Sequence, residues 1–354
     1  MNLVRKNGPF IESKLSTGKI MRNIFIALIP IILYSFYIKG IVPFQKTGYI
    51  LDLMWIFITL AITTSVSFIT EILYQLIFTK RRKKEDLIFD IKHNYSFMTG
   101  IMVGLLLPYG VNILVMVIAS LSATVIGKLF FGGFGSNTFN PPLIGILIVI
   151  LIFGGSYSKL SQEYNYKEAC NEKAIFDLCA EEPYLIDQIN YTDYTIYDTH
   201  TSPADISPIL CIIACCFLII TKSTKWRIPV FYLSTAFIIS IVFGLIHSID
   251  FENSIECVIC GGLLFYAVFV ATDSVTTPVT KTGQILLGIS LGVLTMFFRL
   301  VTPYFYEATI FSILILNMFT RLYDMIGFNL KQKKSIIILP SVILLILTII
   351  PFVV

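Results

Sequence analysis

Asp273 lies in the segment Thr272-Asp273-Ser274-Val275-Thr276-Thr277-Pro278, at the end of a strongly apolar run. A carboxylate among such hydroxyls can attract a cation or accept from a ring N–H, and the hydroxyls both donate and accept. An ionisable group at membrane depth is costly and marks a functional site, whereas the same carboxylate at the water interface would cap the next helix. A second set lies in residues 131–145, FGGFGSNTFNPPLIG. There Asn137 and Asn140 offer amide donors and acceptors beside Gly132 and Gly133, which permit close backbone approach. This suits a planar heteroaromatic ring or a phosphate. Phe131, Phe134 and Phe139 can stack on a ring or face lipid. The candidate binding residues are thus Gly132, Gly133, Asn137, Phe139, Asn140, Asp273, Thr276 and Thr277.

The elements that must position these residues are interrupted apolar runs. Glycines and the pair Pro141-Pro142 do not belong inside a continuous membrane helix, because proline removes backbone donors and glycine lets the chain turn. Freed backbone groups at membrane depth are tolerated only where protein buries them or a polar cavity solvates them. Residues 131–145 therefore read as a broken or re-entrant element lining a ligand pocket, or else as a loop at the membrane face.

The chain is 56% hydrophobic and 14% charged, with a mean hydropathy of +0.82. A soluble domain is about a quarter charged, and several runs here approach the roughly 20 residues that cross a bilayer. The expected class is an all-α polytopic membrane protein with ten to eleven spans. Residues 1–20 carry Arg5, Lys6, Lys14 and Lys19 without an apolar core, and are expected to form a cytoplasmic tail rather than a cleaved signal. Five spans are expected within 21–155, at about 23–44, 50–79, 94–108, 111–131 and 141–155. Lys80, Arg81, Arg82, Lys83 and Lys84 place the second loop inside. Residues 156–206 hold ten acidic and three basic residues and are expected outside. Five more spans are expected within 207–326, at about 207–221, 229–246, 255–271, 284–300 and 308–326. Residues 327–354 form a basic linker and an additional apolar segment.

In each half the third span is short, interrupted and followed by a longer one. Five is odd, so the halves enter the membrane from opposite sides. That is the layout of a 5+5 inverted repeat with its binding site where the interrupted segments meet. Arg22, Arg299 and Arg321 lie near span ends with Glu307 and Asp324, and Arg299, which runs against the positive-inside pattern, is expected to snorkel to the headgroups or else to pair with an anion. Cys257-x-x-Cys260 has no histidine nearby and reads as small helix residues rather than a metal site, while Cys170 and Cys179 could pair in an oxidising compartment. No phosphate-binding loop, dinucleotide fingerprint or metalloprotease motif is present. The basic cluster at 80–84 is explained by topology and anionic lipid, so no nucleic-acid partner is expected.

FGGFGSNTFNPPLIG, ATDSVTTPVTKTG, STGKIMRNIFIALIP at 16–30 and WRIP at 226–229 fall in order along the chain. Together they resemble the signature of the RnfD/NqrB family. That family holds the D component of the Rnf ion-translocating ferredoxin:NAD oxidoreductase and the B component of the sodium-pumping NADH:quinone oxidoreductase. The resemblance implies a membrane component of a multi-subunit redox pump in the cytoplasmic (inner) membrane. Such a component is not an autonomous enzyme. It passes electrons through bound flavin, coupled to movement of Na+ or H+, and its partners are the other subunits of the complex and the lipid bilayer. It implies FMN esterified to a threonine of an (S/T)-(G/A)-A-T segment outside the membrane, and in the quinone-reductase branch a riboflavin within it. Residues 156–206 contain no such segment, and the nearest fragment, Asp198-Thr199-His200-Thr201-Ser202-Pro203, leaves Thr201 and then Thr199 as the candidates. The missing motif keeps two alternatives open: a flavin-free channel or transporter for a small polar solute, and a structural subunit that has lost its cofactor.

Overall fold

The computed structural model describes residues 16–78, 94–162, 202–205, 207–246, 258–259, 262–301 and 305–329. Lys80 to Lys84, Cys170, Cys179, Thr199, Thr201, Cys257, Cys260 and the apolar run 336–354 lie outside them.

Among the described residues the ordered elements are helical. Helix α1 (Thr17–Phe36) begins at Ser16, whose side chain accepts from the Lys19 N–H, and runs through a π-helical turn (Tyr37–Ile41) into α2 (Val42–Thr47). Helix α3 (Ile50–Phe78) is the longest. Its threonine hydroxyls turn back onto the preceding turn, Thr59 to the Trp55 carbonyl and Thr63 to the Thr59 carbonyl at 2.9 Å each, so polar groups are satisfied within an apolar span. The short α4 (Ser96–Leu106) stops because Pro108 holds Leu107 extended. Asn112 then caps α5 (Ile113–Val125), whose run continues through a 3-10 turn at Leu129–Phe131. Helix α6 (Pro141–Gln162) opens on its two prolines and kinks at Phe153. The same missing N–H groups that would break a helix interior cost nothing at its first positions.

The second half starts with a 3-10 turn (Pro203–Asp205) and α7 (Pro208–Ile220), capped by Ser207 with Pro208 in its first turn. Helix α8 (Arg227–Ile246) precedes the short α9 (Leu263–Phe265), which continues as a π-helical turn (Tyr266–Val270). Helix α10 (Lys281–Val301) leads to α11 (Phe305–Met318) and α12 (Thr320–Asn329), with a 53° bend between the apolar parts of the last two.

Helices thus occupy the ten expected positions, the eighth described only in part. Among the described residues five are long and apolar enough to cross a membrane, or six if the bent pair counts as one span. Outward-facing Leu51, Phe57, Ile69, Leu73, Ile77 and Phe78 give α3 an apolar face for lipid. This is an all-α, multi-pass membrane protein.

The two halves pack in the same order. Helix α3 lies against α4 and α5, and α5 against α6; α8 lies against the π-helical turn and α10, and α10 against α11 and α12. Helices α1 and α7 meet between the halves. Small residues set the closest crossings. A Cβ at Gly100 would fall 2.5 Å from Thr64 Cα, and one at Gly104 2.7 Å from Thr63 Oγ1. At Gly292 on α10 it would fall 2.6 Å from Thr235 Cβ on α8. Backbones approach this closely in membranes through glycines four residues apart. Gly100→Val is expected to destabilise the protein by about 1–3 kcal/mol through overpacking against α3, measured as a lowered unfolding midpoint of the detergent-solubilised chain.

Candidate functional site

The two irregular stretches meet. Asn140 Nδ2 donates to the Val270 carbonyl at 3.4 Å, across 130 residues of sequence. The contact forms because Asn140 immediately precedes α6 while Val270 ends the π-helical turn after α9. Between them lies a half-open pocket walled also by α1 and α4, and Asn137, Asn140, Asp273, Phe134, Lys128 and Tyr95 all line it. It leaves about 80 Å3 open to the centres of water molecules. About 10–15 Å3 suffices for one water, so the pocket has room for a cluster of waters or one edge of a planar ring.

Each predicted residue has a definite place. Asn137 is buried and its amide donates to the Phe139 carbonyl at 3.0 Å, which closes the loop on itself. Asn140 is 4% exposed, and its Oδ1 has no hydrogen-bond partner. Phe139 does not line the pocket and its ring packs edge-on against Phe131. Gly132 and Gly133 also stay outside it; both have positive φ and make the sharp turn that returns the chain to α6.

In the second stretch the Asp273 carboxylate accepts from the Val275 N–H and the Thr276 hydroxyl, both at 3.4 Å. Thr277 Oγ1 donates to the Asp273 carbonyl at 2.7 Å and accepts from Lys225 Nζ at 2.8 Å. Thr272 donates to the Val268 carbonyl. Asp273 does not cap the next helix. Thr280 does, accepting from the Gly283 N–H at 3.2 Å, and Asp324 braces that cap by accepting from the Thr280 N–H at 2.8 Å and from its hydroxyl at 2.9 Å. Lys225, in the turn before α8, also donates to the Pro278 carbonyl at 3.0 Å. Burial pushes its ammonium below the ordinary lysine range, and the Asp273 and Asp324 carboxylates act in the opposite direction.

Sequence reasoning passed over the strongest electrostatic feature. Glu71 of α3 and Lys128, just after α5, form an ion pair at 2.9 Å and are 2% and 1% exposed. Lys128 also donates to the Asn94 carbonyl and to Ser96 Oγ, both at 2.6 Å. Glu71 accepts from Ser96 Oγ at 2.5 Å and from Asn94 Nδ2 at 2.6 Å. A lone charge within an apolar run was the available signal at both positions. Arg299 is a correction: it does not snorkel but is 2% exposed, with its guanidinium donating to Thr309 Oγ1 at 3.3 Å. The close packing of α10 against α11 leaves its side chain inside the protein.

The donor set fits a flavin ring in chemistry. The unpartnered Asn140 Oδ1 is an acceptor for a ring N–H, and Tyr95 and Phe134 add an aromatic wall, packed edge-to-face with their centroids 5.3 Å apart. Met21, Met98 and Met102 line the remaining wall, and these flexible side chains can shift to widen it. The proposed ester sites, Thr199 and Thr201, lie outside the described residues.

A multi-pass helical protein with interrupted segments converging on one largely apolar pocket that carries a few polar groups defines the class. Residues 4–329 match the NQR2, RnfD, RnfE family, and the chain belongs to it. It is 28% identical over 324 residues to the D component of the Na(+)-translocating ferredoxin:NAD(+) oxidoreductase complex of Acetobacterium woodii, covering 92% of this chain and 93% of that one. It is also 28% identical over 328 residues to the D component of the proton-translocating ferredoxin:NAD(+) oxidoreductase complex of Clostridium ljungdahlii, covering 90% and 92%. To the B component of the Na(+)-translocating NADH-quinone reductase of Ectopseudomonas mendocina it is 27% identical over 282 residues, covering 77% and 68%.

Lys225→Met removes the cation that gathers the Thr277 and Pro278 carbonyls. Hydrogen bonds to charged groups contribute about 1.5–3 kcal/mol each, and a net loss of about 2 kcal/mol is expected, read from thermal unfolding, with faster proteolysis at 273–280.

Proposed function

We propose that this chain is the membrane subunit of an ion-translocating electron-transport complex, passing electrons through bound flavin coupled to movement of Na+ or H+. It works with the other subunits of an Rnf- or NQR-type complex in the cytoplasmic membrane. Its N-terminus lies inside, residues 156–206 lie outside, and the two five-helix halves insert with opposite orientation. The observation that carries the flavin reading is the buried, unpartnered Asn140 Oδ1 in a pocket shared by both interrupted segments. Its support in relatives is their naming as subunits of ferredoxin:NAD(+) oxidoreductase or NADH-quinone reductase complexes.

When bound, a flavin supplies one- and two-electron transfer, and the protein supplies position and electrostatics. Asn140 would orient the ring edge through its free acceptor, and Asn137 would hold the loop that presents it. Asp273, fixed by Val275 and Thr276, presents its carboxyl group on the opposite wall. Lys225 holds the segment carrying Thr276 and Thr277 against that wall, and the flanking apolar helices limit water access. Covalent FMN outside the membrane would sit on Thr201 or Thr199.

In-gel fluorescence of the SDS-denatured protein, with mass spectrometry of the 156–206 peptide, tests this. A fluorescent band carrying an FMN mass at Thr201 or Thr199, or free flavin released on denaturation, is the expected outcome. A dark band with no flavin released would remove the electron-carrier role and leave a channel or a structural subunit.

A further inference from the structure

The WRIP stretch at 226–229 takes no part in the pocket. It opens α8, with Pro229 in the first turn, where a missing N–H costs nothing. From there Val230, Ser234, Ile238 and Val242 face outward at intervals of four residues, so Trp226, 45% exposed, heads a lipid-facing stripe. Indole rings settle where hydrocarbon gives way to headgroups, because the ring is apolar and its N–H seeks a partner. The guanidinium of Arg227 lies over this ring, 4.8 Å from its centroid. A guanidinium has five donors, and one of them reaches Gln284 Oε1 on α10 at 3.5 Å. Among the described residues Arg227 meets no carboxylate. Asp273 and Asp324, the acids of the adjoining segment, bond instead to Val275 and Thr276 and to Val279 and Thr280. Gln284 is itself pinned, donating to the Pro278 and Val279 carbonyls at 3.3 and 3.1 Å. Lys281, exposed, stands one turn before Gln284 on the same face of α10. Helix α10 thus brings a second cation to the side of Arg227.

We propose that Trp226, Arg227 and Lys281 bind the phosphate of an anionic phospholipid whose acyl chains lie along the outward stripe of α8. A planar guanidinium resting on a ring keeps its outer edge open as a fork, and that fork matches two phosphate oxygens. The second cation selects a lipid of net negative charge, since it repels the ammonium of a zwitterionic headgroup. The stripe gives a lipid an apolar contact that a free phosphate lacks. The proposal rests on the membrane-spanning fold and not on the flavin reading, so either can fail alone.

The test follows unfolding midpoints of the purified full chain in detergent with added phosphatidylglycerol, with phosphatidylcholine, and with inorganic phosphate at equal ionic strength. The midpoint is expected to rise saturably with phosphatidylglycerol alone, as it does for a ligand that binds only the folded state. Half-saturation is expected at about tenfold more lipid in Arg227→Gln and about threefold more in Trp226→Leu. Lys19→Gln, which removes an exposed cation at the start of α1, is expected to behave as the wild type. No rise with phosphatidylglycerol overturns the proposal. So does an equal rise with phosphatidylcholine, which would mean unselective solvation by lipid, or with phosphate, which would mean a free-anion site. A wild-type response of Arg227→Gln or Trp226→Leu, or an equal loss in all three variants, would mark diffuse attraction and sink it too. If Arg227→Gln does not fold, Arg227→Lys keeps the charge without the fork and is read in its place: weakened binding supports the site, and a wild-type response overturns it.

Discussion

In hydrocarbon no water stands ready to bond a bare amide, so each backbone group must find its partner within the protein. The helices of this chain meet that requirement internally, but residues 132–140 and 271–280 do not follow helical bonding. They are tolerated because they face each other. Asn140 joins the first stretch to the Val270 carbonyl, Asn137 closes it on Phe139, and Lys225 collects the carbonyls of Thr277 and Pro278 in the second. The unpartnered side-chain oxygen of the first stretch, Asn140 Oδ1, lies at the pocket rather than against lipid. The pocket is therefore a consequence of how two costly segments satisfy one another.

The surrounding helices hold that arrangement at short range. Gly100 and Gly104 bring α4 against α3, and Gly288 and Gly292 bring α10 against α8. Helix α4 carries Ser96 and Met98 at its start, so its approach to α3 also places Ser96 beside Glu71. The buried ion pair gains from this. An isolated carboxylate or ammonium in such a site would cost several kcal/mol, and the bonds from Asn94 and Ser96 offset that cost. The same pair ties three segments to the pocket wall.

Much of this was legible in the sequence. Apolar runs bounded by glycine, proline and charge located the helices, and the composition of residues 131–145 and 272–283 marked both interrupted segments. Of the candidate residues, Asn137, Asn140 and Asp273 line the pocket. Gly132, Gly133, Phe139, Thr276 and Thr277 do not, because loop direction decides which side faces inward and no local pattern encodes it. Pro141 and Pro142 do not lie inside a continuous helix but open α6, which agrees with the span expected from about 141. Glu71 and Lys128 are 57 residues apart; each was visible as a charge in an apolar run, but their pairing depends on the packing of α3 on α5. Arg299 looked like a headgroup anchor, and only the fold shows its side chain enclosed.

The central claim is that both interrupted segments build one flavin pocket. Riboflavin fluorescence, titrated against the purified full chain in detergent and against Asn140→Leu and Asp273→Ala, tests it most directly. The account predicts saturable quenching by the wild type and at least tenfold weaker binding in each variant, corresponding to about 1.4 kcal/mol or more. Wild-type affinity retained in either variant would contradict a shared pocket, and no saturable quenching by any of the three proteins would contradict a flavin site there.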